Sequence, residues 1–184
     1  MKKKAWVSLV AVVLVLCCAV GGTLAWLTAK SDVVTNTFAP SGIDIKLEET
    51  TGKDYKMVPG YTISKDPKVT VLTGSEECYL FVKLEKSANF DTFMAYKMAD
   101  GWDVVPDADG VYSRKVTTAE IGTAYSVLKG DQVTVKDTVN EKMMNVLNTA
   151  NYPTLTITAY ASQLHKNATE TFSASEAWNN ITTK

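Results

Sequence analysis

Apolar residues recur at every second position through much of this chain. Ile43, Ile45 and Leu47 alternate with Asp44, Lys46 and Glu48, and Leu80, Val82 and Leu84 alternate with Phe81, Lys83 and Glu85. Val133 and Val135 sit among Gln132, Thr134 and Lys136, and Leu155, Ile157, Ala159 and Ala161 alternate with Thr156, Thr158 and Tyr160. Successive side chains of a strand point to opposite faces, so each run predicts a strand with one core face and one wet face. Val69–Val71 adds a strand, and Phe90–Met98 and Val33–Phe38 are weaker candidates.

Turn residues separate these runs. Val58-Pro59-Gly60 and Lys129-Gly130-Asp131 predict turns. Pro106-Asp107-Ala108-Asp109-Gly110 predicts a hairpin between Trp102–Val105 and Val111–Val116. Two segments have helical character. Val139–Leu147 carries apolar residues at helical spacing, with Pro153 beyond its end. Ser173-Ala174-Ser175-Glu176 forms a capping box ahead of Ala177 and Trp178. The expected fold is all-β: one antiparallel two-sheet sandwich with one or two short helices, running from about Trp26 to the C-terminus.

The first 25 residues follow a different pattern. Lys2, Lys3 and Lys4 precede an apolar run from Ala5 to Val20, interrupted only by Ser8, and Gly21-Gly22-Thr23-Leu24-Ala25 closes it. A positive start, an apolar stretch and small residues at Thr23 and Ala25 predict a secretory signal peptide cut between Ala25 and Trp26. Left uncut, the run is long enough to anchor the chain in a membrane, since about 20 apolar residues span a bilayer. A lipoprotein signal is excluded, because Leu16 rather than a small residue precedes Cys17.

Removal of residues 1–25 leaves 16 basic and 20 acidic side chains, a net charge of −4. That balance argues against nucleic acid or an anionic membrane surface as a partner. Cys78 is then the sole cysteine, so no internal disulfide forms, which suits a bacterial cell surface better than a secreted animal domain. The two N-x-T sequons, at Asn167 and Asn180, carry no weight in that setting.

Candidate chemistry is sparse. His165 is the only histidine and cannot by itself supply a zinc cage or a Ser-His-Asp arrangement. Cys78 opens an apolar strand and reads as a buried thiol. Asp107 and Asp109 lack the further oxygen ligands of a calcium loop and read as turn residues. Glu48-Glu49 and Glu76-Glu77 read as solvated strand ends. No catalytic residue, metal ligand or cofactor is assigned.

The junction carries a more specific signal. Gly21-Gly22-Thr23-Leu24-Ala25-Trp26-Leu27-Thr28, then Thr35-Asn36-Thr37-Phe38, then Gly42-Ile43-Asp44-Ile45-Lys46-Leu47-Glu48 resembles the start of the TasA/camelysin family. Met57-Val58-Pro59-Gly60 and Ile157–Ala161 leading to Ala177-Trp178 are similar to later parts of that family. The resemblance implies a jelly-roll-like sandwich, secreted by a Gram-positive bacterium after cleavage by a SipW-type signal peptidase. It further implies a subunit of an extracellular fibre or biofilm matrix, with itself and other matrix proteins as partners. Residues 26–38, with Trp26, Leu27, Val33, Val34 and Phe38, are then the candidate donor strand that completes a sheet of the next subunit. A camelysin-like surface metallo-endopeptidase is the alternative within the family. A surface adhesin module using Tyr61, Tyr112 and Trp102 is a third reading.

Overall fold

The computed structural model describes residues 42–52 and 55–183. The chain divides into two units, Met1–Ala39 and Pro40–Lys184. The signal segment, the junction at Ala25 and Trp26, and the donor candidates Leu27, Val33, Val34 and Phe38 all lie outside the described residues.

Ten strands follow one another: β1 (Ile45–Glu48), β2 (Thr62–Ser64), β3 (Lys68–Val71), β4 (Cys78–Lys86), β5 (Met94–Ala95), β6 (Asp103–Val104), β7 (Val111–Val116), β8 (Ala124–Ser126), β9 (Gln132–Val135) and β10 (Leu155–Gln163). Among the described residues three short α-helices are interspersed: α1 (Phe90–Phe93), α2 (Glu141–Met144) and α3 (Ala174–Thr182). Every ladder is antiparallel. The all-β expectation holds: the alternating runs at 69–71, 80–85, 133–135 and 155–161 fall on strands, and the run at 43–48 does so from Ile45 onward.

The strands form three hydrogen-bonded sheets rather than two, in the orders β1-β3-β8, β2-β9-β5 and β10-β4-β7-β6. The extra division has a local cause. Residues 62–71 and 124–135 are two arms that pair antiparallel, β3 with β8 and β2 with β9. Pro67 interrupts one arm because it has no N–H for a ladder. Gly130 and Asp131 interrupt the other with left-handed backbone, at φ 70° and 51°. Two bonds stitch the break, Val127 N–H to the Pro67 carbonyl (2.9 Å) and Lys65 N–H to the Asp131 carbonyl (2.8 Å).

The hairpin predicted around Pro106–Gly110 joins β6 to β7. Gly110, at φ 69°, is required there: its carbonyl accepts from Leu84 N–H, and a Cβ at this position would lie 2.5 Å from the Leu84 carbonyl oxygen.

Three local expectations are corrected. Phe90–Met98 is not one strand, because Phe90–Phe93 coils into α1 before the two residues of β5. Phe90 and Phe93, three apart, thereby bury together on one face. The Val139–Leu147 helix shrinks to α2, capped by the Asn140 side chain. Beyond it Asn148 and Asn151 capture nearby backbone groups with their amides and turn the chain away. The third correction concerns β4, whose second face is polar only at Lys83 and Glu85 and is buried at Tyr79 and Phe81.

On one face of β4, Leu80, Val82 and Leu84 join Val69, Val71, Val133, Val135, Leu128 and Trp102 in the main core. On the other face, Tyr79 and Phe81 meet Val105, Val111 and Ala177 in a second, smaller core. Helix α3 covers that face, with Trp178 5.4 Å from Phe81 and 5.2 Å from Tyr160 between ring centroids. Its start is fixed as the sequence predicts: Glu176 N–H donates to Ser173 Oγ (3.2 Å), and Ser173 N–H donates back to the Glu176 carboxylate (2.8 Å).

Candidate functional site

The open edge of β10 stands apart from the other sheet edges. It is nine residues long, and no charged side chain occurs from Asn151 to Leu164. Native proteins guard sheet edges with charge, proline or brevity. The other edge strands here do so: β2, β5, β6 and β8 have two or three residues each, and β1 carries Lys46 and Glu48.

The backbone direction at this edge follows from the ladder. Leu84 N–H bonds to Gly110 on the β7 side, so by alternation Tyr79, Phe81, Lys83 and Glu85 bond to the β10 side. Their partners in β10 are Ser162, Tyr160, Thr158 and Thr156. The intervening Leu155, Ile157, Ala159 and Ala161 therefore aim N–H and C=O outward, and among the described residues nothing hydrogen-bonds to them. Strand β1 comes within 8 Å of β10 in Cα positions, yet no ladder joins the two.

The side chains at this edge are incompletely covered as well. Ile157, Ala159 and Ala161 face the main core but are only half-buried. Their cross-strand partners Leu84, Val82 and Leu80 are almost fully buried. Two alanines at the core face leave the rim of the core shallow, where a further strand would add cover. Among the described residues the sheet thus lacks both hydrogen-bond partners and apolar cover on the same side.

The region beyond β10 is held by carboxylates. His165 Nε2 lies 3.1 Å from Glu77 Oε2, while Thr118 N–H and Oγ1 each lie 3.0 Å from Glu77 Oε1. The His165 hydrogen bond, with those from Thr118, holds the Glu77 carboxyl down to about 2. Glu77 is therefore not a simple solvated strand end, as expected from sequence, but a clasp joining three segments. Glu49, similarly, accepts from Lys65 Nζ (2.8 Å) and from the Tyr55 hydroxyl (2.9 Å). Lys166 Nζ binds Glu176 at 2.6 Å, and this contact, with Ser173, lowers Glu176 to about 2.

These two carboxylates set a pH dependence. A depressed folded-state value contributes stability above the ordinary value of 4.5 and loses it as the pH falls toward about 2. We expect acid titrations of stability to decline through that window. Glu77→Gln and Glu176→Gln should each flatten part of the slope by lowering the plateau near neutrality, while leaving stability at the acid end of the window little changed. Urea melts across that pH range check this, and an unchanged slope in both variants would contradict it.

The remaining sequence candidates fall in separate places. Cys78 is fully buried, and burial pushes its thiol up to about 11, so it is poorly placed as a nucleophile. Asp107 and Asp109 sit in the β6–β7 turn, with Asp107 at φ 60°. No group of three His, Cys, Asp or Glu side chains converges among the described residues. The aromatic trio is split: Tyr61 is exposed, Tyr112 is half-buried against the main core, and Trp102 is buried with its indole N–H on the Ser126 carbonyl (2.9 Å). Arg114, the only arginine, stacks between Trp102 and Tyr125 at 5.2 and 4.0 Å from their ring centroids.

Comparison with family models, with curated proteins and with solved structures returns no match to this chain.

Proposed function

We propose that this chain is a secreted structural subunit of a Gram-positive cell surface or extracellular matrix, of the TasA/camelysin kind. In this reading a SipW-type peptidase cuts after Ala25, and residues 26–38 of one copy lie along the β10 edge of the next. The domain is then a jelly-roll-like sandwich whose longest sheet is completed by its neighbour. The observation that carries the proposal is the uncharged nine-residue edge with outward N–H and C=O groups at Leu155, Ile157, Ala159 and Ala161.

Strand addition to such an edge takes affinity from the main-chain bonds and specificity from alternate side chains. Donor and acceptor are different surfaces of the same molecule, so the contact is head-to-tail and propagates into a filament. Cleavage makes the donor available only after export, which keeps the precursor from polymerising inside the cell.

Deletion of Trp26–Thr37 tests this. The shortened chain should fold and stay soluble but fail to form fibres by electron microscopy and light scattering. A peptide of residues 26–38 should then stabilise it, by about 2.7 kcal/mol at a hundredfold excess over its dissociation constant. Fibres formed equally well by the shortened chain would overturn donation. Failure of the shortened chain to fold would instead assign the segment to its own sheet.

A further inference from the structure

An open groove of about 720 Å³ lies between the β2-β9-β5 sheet and the start of β10. Met57, Ile63, Met94, Val133 and Met144 supply apolar walls, and Leu155 belongs both to the groove and to the open edge of β10. The groove is therefore continuous with that edge. It also carries free main chain. Leu155 aims its N–H and C=O outward, and among the described residues nothing hydrogen-bonds to the backbone of Tyr55, Lys56 or Met57. Unpaired backbone beside an apolar cleft suits an extended peptide that brings both main-chain partners and a large apolar side chain.

We propose that Phe38 of a second copy seats in this groove and anchors the end of the donated strand. The assignment rests on the strand donation proposed above, and adds to it a direction and an anchoring side chain. Every ladder among the described residues is antiparallel, and a strand laid antiparallel on β10 brings its C-terminal end to Leu155. Phe38 is the last large apolar residue before Gly42, and Pro40, which has no N–H for a ladder, follows it by two residues. No charged side chain occurs from Val33 to Gly42, which matches the uncharged stretch from Asn151 to Leu164.

Chain reach requires that this Phe38 come from another copy. The Gly42 carbonyl accepts from Glu76 N–H (3.1 Å), and the neighbouring Glu77 carbonyl accepts from Leu164 N–H (3.3 Å). Gly42 thus lies at the Gln163 end of β10, and the groove lies at the Leu155 end. Nine strand residues separate the two ends by about 27 Å. The four steps from Gly42 back to Phe38 reach at most about 14 Å.

The test uses the exported chain, residues 26–184, carrying Phe38→p-benzoylphenylalanine. That residue keeps an aromatic ring and, on illumination, links to nearby C–H groups, methionine methyls among them. Isotope-labelled and unlabelled copies are mixed, assembled, illuminated and digested, and mass spectrometry reads the linked peptides. Links should join position 38 of one copy to Met57, Met94 or Met144 of another, and the same probe at Trp26 should miss the groove. Phe38→Ala should raise the critical concentration for assembly by about tenfold or more, and Phe38→Leu by less.

Fibres that need residues 26–37 but link position 38 elsewhere would overturn the anchor and leave strand donation standing. So would assembly of Phe38→Ala at the parent's critical concentration. Links from position 26 to the groove would reverse the strand direction and overturn the assignment of Phe38. Links confined to a single copy, or a parent chain that forms no fibres, would remove strand donation and the anchor together.

Discussion

If the β10 edge accepts a donated strand as proposed, an Ala159→Pro chain is expected to fold with its β4–β10 ladder intact and to remain monomeric under conditions where the parent chain assembles. Ala159 faces Val82 across the ladder, but its N–H points to the open side. Proline there removes a donor that no described group uses, and places a ring where an incoming strand has to lie. The matching control is Thr158→Pro. Its N–H points inward to the β4 ladder, so this substitution should break a ladder bond and destabilise the domain itself. Light scattering and electron microscopy read assembly, and thermal melts read folding. Fibre growth by Ala159→Pro at the parent's rate would remove β10 as the acceptor. It would leave open donation to another edge, which deletion of Trp26–Thr37 tests separately.

Phe81→Ala is expected to cost about 3–5 kcal/mol. Phe81 is fully buried beneath α3, stacked with Tyr79 at 5.8 Å and tilted against Trp178 at 5.4 Å. Its removal leaves a cavity that neither the β4 ladder nor a helix pinned at Ser173 and Glu176 can close. The melting temperature should fall by roughly 10 °C or more, and Trp178 fluorescence should report loosening of α3 before global unfolding. Phe81→Leu, which keeps most of the volume, should cost much less. A loss below about 1 kcal/mol for Phe81→Ala would show that the second face of β4 is not a core.

Period-2 alternation located β1, β3, β4, β9 and β10, because each has one face on the main core and a contrasting face that reads as polar. It misjudged β4, because Tyr79 and Phe81 share their face with Lys83 and Glu85, and this mixed face conceals the burial under α3. The turn residues placed the β6–β7 hairpin, and the capping box placed α3, since both depend on backbone chemistry within a few residues. Strands β2 and β8 escaped notice because three residues carry no period, and β5 was caught only inside the overlong Phe90–Met98 candidate. The site was half legible. The lack of charge from Asn151 to Leu164 is visible in the sequence and marks an unguarded strand, but that β10 lies at a sheet edge depends on pairing with residues 69 to 85 positions earlier. The clasp at Glu77 was hidden for the same reason: His165 lies 88 positions from it.

That long separation also bears on the order of events during synthesis. Strand β4 cannot gain its neighbour on one side until β10 has been made, and its second face stays bare until Trp178 arrives. Contacts this distant in sequence form slowly, since a long loop must close before they reward it. The nascent chain therefore lacks its largest sheet for most of translation. In the export proposed above, a narrow translocation channel accepts an unfolded polypeptide, and this order of elements would keep the chain threadable until nearly all of it has been synthesised.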